Sequence, residues 1–391
     1  MATKRLYMHR SHDVAMVLAL LINVQLAYSF GTIGVATIDL LARLNMSYSL
    51  LGAISVIGAF LSMISMMVGG SLVGYIGTRN TIMYTTPIMF VSHIALAVFP
   101  STTTLIAVNI GWGVGFGALL IACTAVIIDW ERERRKRIID AFQASWNIAA
   151  IVGALLGGVF LSWQWTFGDV MWAAAITLIP LWVGVLFASF PSSGVIEEAS
   201  HPLASFSYIA QYRDLLLLGI MMILVTFVQN IGQTWSPLYL DSLGANPIIS
   251  GAALASFQAA VALFRLINGV LVSRFSAKVI LFCGALGICV SAVLLYTVPN
   301  QYVVLFAFIL MGAAIAGTQP TAISIGVRLH PTKSAALSSG IMALGELGFI
   351  ISTPLTGWVA DAHGMSAAMA LALPCGIAMI IAVLLVPRTT S

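Results

Sequence analysis

The sequence predicts an all-α membrane protein of twelve transmembrane helices arranged as two pseudo-symmetric six-helix bundles, and three observations carry that expectation. Hydrophobic residues make up 60% of the chain and charged ones only 8%, with a mean hydropathy of +1.03, whereas soluble domains carry roughly 25% charged residues. The apolar runs continue for about twenty residues or more, the length needed to cross roughly 30 Å of hydrocarbon. They show no two-residue alternation. With no water to satisfy backbone N–H and C=O groups inside a bilayer, helices are the structures left. The third observation is an internal repeat. Gly70-Ser71-Leu72-Val73 is matched by Gly269-Val270-Leu271-Val272, Arg79 by Lys278 and Gly113 by Gly312, each pair 199 residues apart.

Apolar runs place the spans near 13–38, 48–73, 80–100, 103–128, 141–162 and 168–190, then 214–238, 247–272, 278–298, 301–325, 335–358 and 366–387. Met1 to His12 followed by a long apolar run has the outline of a signal peptide. That run is too long and lacks a small-residue cleavage site, so it is read as a retained first helix. The longest polar stretch, 191–213, contains Glu197, Glu198 and His201 and reads as a cytoplasmic linker between the halves 1–190 and 214–391. Of the 17 Lys and Arg residues, Arg43 alone falls outside if the N-terminus is cytoplasmic, and Arg265 lies within a span. The other fifteen, including Arg132, Arg134, Arg135, Lys136 and Arg137, fall inside. By the positive-inside rule both termini are cytoplasmic and the chain sits in a bacterial inner membrane.

Several function classes have no machinery here. Cys123, Cys283, Cys289 and Cys375 all lie in apolar runs, so they read as packing residues, not as disulfides or metal ligands. No phosphate-binding Gly-x-x-x-x-Gly-Lys loop is present, and no segment is long enough for a nucleotide domain. His-Glu-x-x-His and Gly-x-Ser-x-Gly are absent as well, so no catalytic residue, cofactor or metal is expected. The basic loop at 132–137 reads as an orientation signal at the anionic inner leaflet, with no nucleic acid as partner.

Certain segments resemble the major facilitator superfamily of secondary transporters, and the resemblance covers the whole chain. That family carries Gly-x-Leu-x-Asp-Arg-x-Gly-Arg-Lys between its second and third helices. Here the stretch is Gly70-Ser71-Leu72-Val73-Gly74-Tyr75-Ile76-Gly77-Thr78-Arg79. The second copy keeps Gly269, Leu271, Arg274 and Lys278, with Ser273 at the Asp position. The resemblance makes Arg79, Arg274 and Lys278 gating-loop residues, although the Asp of the family's charge latch is missing from both copies. The fourth helix, from Asn109 through Trp112 and Gly113 to Gly117, resembles an Arg-x-x-x-Gly-x-Gly pattern with Asn109 in place of Arg. Gly153-Ala154-Leu155-Leu156-Gly157-Gly158 resembles the antiporter motif of the fifth helix without its proline.

Charged groups are costly inside a bilayer, so those that remain there are functional candidates. Only Arg265 and Glu346 lie deep, about 12 Å and about 16 Å from a helix end at ~1.5 Å per residue. Arg265-x-x-x-Gly269-x-x-x-Ser273-Arg274 resembles a segment of the monocarboxylate and oxalate–formate branches, which implies that Arg265 grips a substrate carboxylate. A guanidinium suits that task because it presents a planar fork to two oxygens. Permanent pairing of Arg265 with Glu346 or with carbonyls is the other reading. Glu346 is the candidate proton carrier, since a carboxyl group in apolar surroundings is costly to ionise; a purely structural pairing and a grip on a cationic substrate are its alternatives. Its repeat partner is Asn147, again at an offset of 199. His93 in the third span reads as an interior hydrogen-bonded residue.

In the family the first, fourth, seventh and tenth helices line the central path. That implies Asn23, Gln25 and Tyr28, Asn109 and Trp112, Gln229, Asn230, Gln233 and Trp235, and Gln319 beside Pro320 as cavity residues. Such a lining suits a small ligand with an apolar body, although each polar group is equally a candidate for interhelical bonding. Asp39 and Arg43, one turn apart, are expected to pair. The resulting expectation is a monomeric transporter working by alternating access, taking up a small organic anion by proton symport. Proton-coupled export of drugs, siderophores or amphipathic metabolites is the alternative.

Overall fold

A computed structural model describes residues 2–190, 209–329 and 334–385, with side chains placed from residue 12 in the first segment and from 340 in the last. The linker expected at 191–213 lies outside the described residues as far as 208. So do Lys333 and Arg388, and the side chains of Lys4, Arg5 and Arg10.

Among the described residues, twelve helices are long and apolar enough to cross a membrane. They are α1 Ala2–Leu44, α2 Tyr48–Ile76, α3 Thr78–Val98, α4 Thr102–Arg134, α5 Ile139–Ser162 and α6 Phe167–Phe187. After the linker come α7 Arg213–Ser242, α8 Pro247–Arg274, α9 Ala277–Thr297, α10 Gln301–Leu329, α11 Ser334–His363 and α12 Met365–Leu385. The fold class therefore agrees with the expectation. Three of the described helices are interrupted: α7 contains a π-helical turn over Ile231–Trp235, α10 breaks at Gly317, and α12 breaks between Met369 and Ala372.

Contacts divide the chain into two compact units. Unit 1 holds residues 1–45 and 57–198, and unit 2 holds 46–56 and 199–391. In unit 1, α1 packs on α5 and α6, and α3 packs on α4 and α6. In unit 2, α7 packs on α11 and α12, and α9 packs on α10 and α12, which repeats the same pairing six helices later. The first residues of α2 fall to unit 2 for a local reason. Asp361 near the end of α11 accepts hydrogen bonds from the Tyr48 and Ser49 amides at 3.0 and 2.8 Å. An anionic group there satisfies the otherwise unpaired amides of a helix start.

Glycines set how closely the helices approach. A Cβ on Gly113 would stand 2.5 Å from the Gly58 carbonyl oxygen, and one on Gly312 would stand 2.5 Å from that of Phe257. Residues 58 and 257 are themselves 199 apart, so the repeat seen in the sequence is a repeated helix contact. The seam between α1 and α5 carries the same logic, with Gly153 against the Tyr28 carbonyl and Gly31 against Ala150 and Ala154. At the corresponding places of the α7–α11 seam, Ser352 donates to the Phe227 carbonyl at 3.0 Å, and Asn230 and Thr353 hydrogen-bond at 3.1 Å. Unit 2 thus uses side-chain hydrogen bonds where unit 1 uses bare backbone contact. Lipid tails are as apolar as leucine, so such close contacts and bonds hold the helices together.

The end of α4 differs from expectation. α4 runs through Arg132 and Arg134, because Asp13 of α1 accepts from Arg134 at 2.6 Å and from the Trp130 indole at 2.8 Å. Glu131 also accepts from the Ile138 and Ile139 amides at the start of α5. The charge cluster is therefore helical as far as Arg134, with Arg135 in the left-handed C-cap conformation at φ 53°. The Asp39–Arg43 pair forms as expected at 2.6 Å, and Asp39 accepts additionally from the Phe167 amide at 2.8 Å.

These contacts set a prediction. Gly113→Val and Gly312→Val should each destabilise the purified protein by about 1–3 kcal/mol through overpacking. Gly70→Ala and Gly269→Ala should be neutral or slightly stabilising, since nothing lies within 4 Å of their added Cβ. Thermal unfolding in detergent distinguishes the two groups.

Candidate functional site

In unit 2, three helices bring polar groups together. The side chain of Arg265 on α8 is solvent-accessible, and its Nη2 donates to Gln319 Oε1 at 2.9 Å. Gln319 Nε2 in turn donates to Gln229 Oε1 of α7 at 2.8 Å. The break at Gly317 lies two residues before Gln319 and Pro320 three residues after it, so this part of α10 departs from a regular helix where it meets Arg265. The π turn of α7 lies next to Gln229. Such turns re-aim side chains without ending the helix. Gln233 within it donates to Gln258 Oε1 of α8 at 3.3 Å.

Arg265 has no carboxylate partner among the described residues. Among the described residues an amide oxygen is its one acceptor, and the rest of the guanidinium fork makes no hydrogen bond there. Glu346 of α11 is half-buried and makes no ion pair or hydrogen bond among the described residues. The similar depths of these two groups thus do not bring them into contact. The neighbours of Glu346, Gly345 and Gly348, abut Thr226 and the Ile223 carbonyl of α7. Asn230 and Trp235 are buried, Asn230 on Thr353 and the Trp235 indole against Tyr48 with its N–H unpartnered.

In unit 1 the expected cavity residues separate into two groups. Asn23 and Gln25 are buried ties between helices. Asn23 donates to the Phe142 carbonyl and Ser145 of α5 at 3.2 and 3.1 Å. Gln25 donates to Ser29 and to the Ala174 carbonyl and Thr177 of α6 at 2.9 to 3.2 Å, while its Oε1 has no partner. Tyr28 is half-buried and, with Gln25, borders a cavity between α1, α5 and α6. Asn109 bonds back to the Leu105 carbonyl at 2.9 Å.

Trp112 belongs to an aromatic cluster. It stacks on Phe116 with centroids 4.6 Å apart and planes 7° apart. Phe116 meets Trp146 of α5 edge-on at 5.9 Å, and Trp146 meets Phe30 of α1 at 6.4 Å. Sequence reasoning singled out Trp112 alone. The signal for the rest was the spacing of Trp112 and Phe116 by one helical turn, with Trp146 beside the polar Asn147.

The gating-loop residues occupy different settings. Arg79 donates to the Leu186 carbonyl at 2.6 Å and so satisfies the C-terminal end of α6. Arg274 is exposed, Lys278 is half-buried, and neither joins an ion pair among the described residues. His93 is buried, as expected of an interior residue.

The Major Facilitator Superfamily profile matches residues 19–345 and 240–391. A 3-(3-hydroxy-phenyl)propionate transporter of Escherichia coli (strain K12) is 23% identical over 298 residues, covering 74% of this chain and 73% of that protein. An uncharacterized transporter, y4wD, of Sinorhizobium fredii is 23% identical over 260 residues, covering 66% and 68%. Among solved structures, the nucleoside transporter NupG superposes with a TM-score of 0.80 at 13% identity, covering 96% of this chain and 97% of that one. A D-xylose–proton symporter superposes with a TM-score of 0.71 at 16% identity, covering 96% of both. At these identities the structures establish the fold.

If Asn23 serves as a tie, Asn23→Leu should lower stability by about 0.6 kcal/mol, the average for interhelical hydrogen bonds in a membrane. A thermal midpoint equal to the wild type's would show that Asn23 carries no structural load.

Proposed function

The chain belongs to the Major Facilitator Superfamily, and from that premise we propose that it is a secondary transporter importing a small organic carboxylate together with a proton. It works as a monomer by alternating access in a bacterial inner membrane, with both termini cytoplasmic. The observation that carries the reading is Arg265, an accessible guanidinium within a membrane span with no carboxylate partner among the described residues. An unpaired cation at that depth costs about 2.5–3.5 kcal/mol even on the mildest scale. A bound carboxylate offsets that cost and fills the free part of the fork.

Gln319 and Gln229 hold Arg265 from behind through two successive hydrogen bonds. The guanidinium is therefore oriented before the substrate arrives, which reduces what binding must order. Glu346, unpaired in the same unit, is the proton carrier. With anion on Arg265 and proton on Glu346, each buried charge is neutralised separately and the loaded protein can change access. With only one of the two bound, the site carries a net charge that neither the empty nor the fully loaded protein has, and moving that net charge through the low-dielectric interior is disfavoured.

The name of the 23%-identical relative, a 3-(3-hydroxy-phenyl)propionate transporter, supports an aryl-substituted member of that carboxylate class.

Liposomes holding the purified protein and a trapped pH dye test the reading when challenged with a panel of small organic acids. Saturable, acid-dependent proton entry is expected. Arg265→Ala should lower it by about 10- to 100-fold, the worth of a charged hydrogen bond, and Glu346→Gln should abolish proton coupling. If no acid exceeds the leak seen in the variants while lipophilic cations drive proton movement, the chain is an exporter and Arg265 is structural.

A further inference from the structure

We propose that a groove between α8 and α9 is a binding site for an anionic phospholipid of the inner leaflet. Both helices pack along α10 but hardly touch each other, which leaves a cavity of about 360 Å³ between them. Its floor is made of Gly284, Ala314 and Gly317, and its exposed rim includes Phe275, Val279 and Cys283. Such small floor residues alone would indicate only close packing. Asn268 adds a second and different observation. It lines the cavity, is only 8% exposed, and makes no hydrogen bond among the described residues. Its Oδ1 is pressed against Gly317, 2.6 Å from where a Cβ would stand, which leaves the Nδ2 end of the carboxamide to donate to a ligand.

The charges at the mouth identify the occupant. Arg274 ends α8 and Lys278 lies in the first turn of α9, flanking the rim residues Phe275 and Val279. Neither is ion-paired among the described residues. Asn268 lies about 9 Å along the helix from Arg274, at ~1.5 Å per residue. A phospholipid spans that interval: its phosphate lies in the interfacial layer, and its ester carbonyls lie some 5–8 Å deeper, at the edge of the hydrocarbon. The phosphate therefore meets Arg274 and Lys278, an ester carbonyl accepts from Asn268 Nδ2, and an acyl chain lies on the glycine and alanine floor. A neutral or soluble ligand would leave the two cations or the apolar walls unused. Because Asn268 touches Gly317, occupancy bears on the break in α10 that carries Gln319.

Native mass spectrometry of the full-length protein, delipidated and titrated with phosphatidylglycerol or phosphatidylcholine, tests the site. At about 1 kcal/mol for each basic residue near an anionic headgroup, two cations predict about thirty-fold tighter binding of phosphatidylglycerol. Arg274→Gln/Lys278→Gln should remove that discrimination. Cys283→Trp, which fills the groove from its exposed rim, should remove it with the cations still in place. Equal binding of the two lipids by the wild type would overturn the proposal. So would a preference that survives Cys283→Trp, which would locate the lipid on the basic loop at 132–137.

Discussion

Close helix approach is the constraint on which everything else in this protein rests. Helices in a membrane gain little from hiding apolar surface from one another, so they must meet closely enough for dispersion and hydrogen bonding to hold them. Gly113 and Gly312, 199 residues apart, make that approach against the carbonyls of residues 58 and 257, which share the same spacing. The seam between the first and fifth helices and its counterpart between the seventh and eleventh occupy matching positions. The second replaces the bare glycine contact with the Asn230–Thr353 and Ser352–Phe227 hydrogen bonds. A duplicated architecture has thus been kept while the chemistry of its seams diverged, and the more polar seam belongs to the unit that also holds Arg265 and Glu346.

With the helices fixed this way, polar side chains inside the spans fall into two physical classes. Asn23 and Gln25 find buried acceptors on neighbouring helices and serve as ties. Arg265 has an accessible guanidinium with one amide acceptor, and Glu346 has no partner among the described residues. The first class has its hydrogen-bonding needs met by the fold, whereas the second has them met only when something else is present. That difference, and not mere depth in the membrane, separates a structural residue from a candidate site.

Much of this was legible in the sequence. Twelve spans follow from apolar length, and the Asp39–Arg43 pair from its four-residue spacing. The equivalence of Gly113 and Gly312 follows from the repeat. What sequence left open depended on where side chains point. Arg265 and Glu346 lie at similar depths, yet depth along two helices says nothing of the rotation of either about its axis. Asn23 looked like a cavity residue because polar groups in an apolar span suggest a path; its partner Ser145 lies more than a hundred residues away. The end of α4 was misplaced because a run of charges resembles a loop, whereas Asp13 holds Arg134 and Trp130 in a continuing helix. The aromatic cluster of Phe30, Phe116 and Trp146 draws on three helices and has no local signature beyond the Trp112–Phe116 spacing.

The central claim is that Arg265 exists to receive a carboxylate. Calorimetric titration of the purified protein with 3-phenylpropionate and with its uncharged amide, on the wild type and on Arg265→Gln, tests it most directly. The two ligands share shape and apolar body and differ in charge. The account predicts that the wild type binds the acid at least tenfold more tightly than the amide and that Arg265→Gln loses this preference while remaining folded. Equal affinity of the wild type for both ligands, or a preference unchanged in the variant, would contradict it.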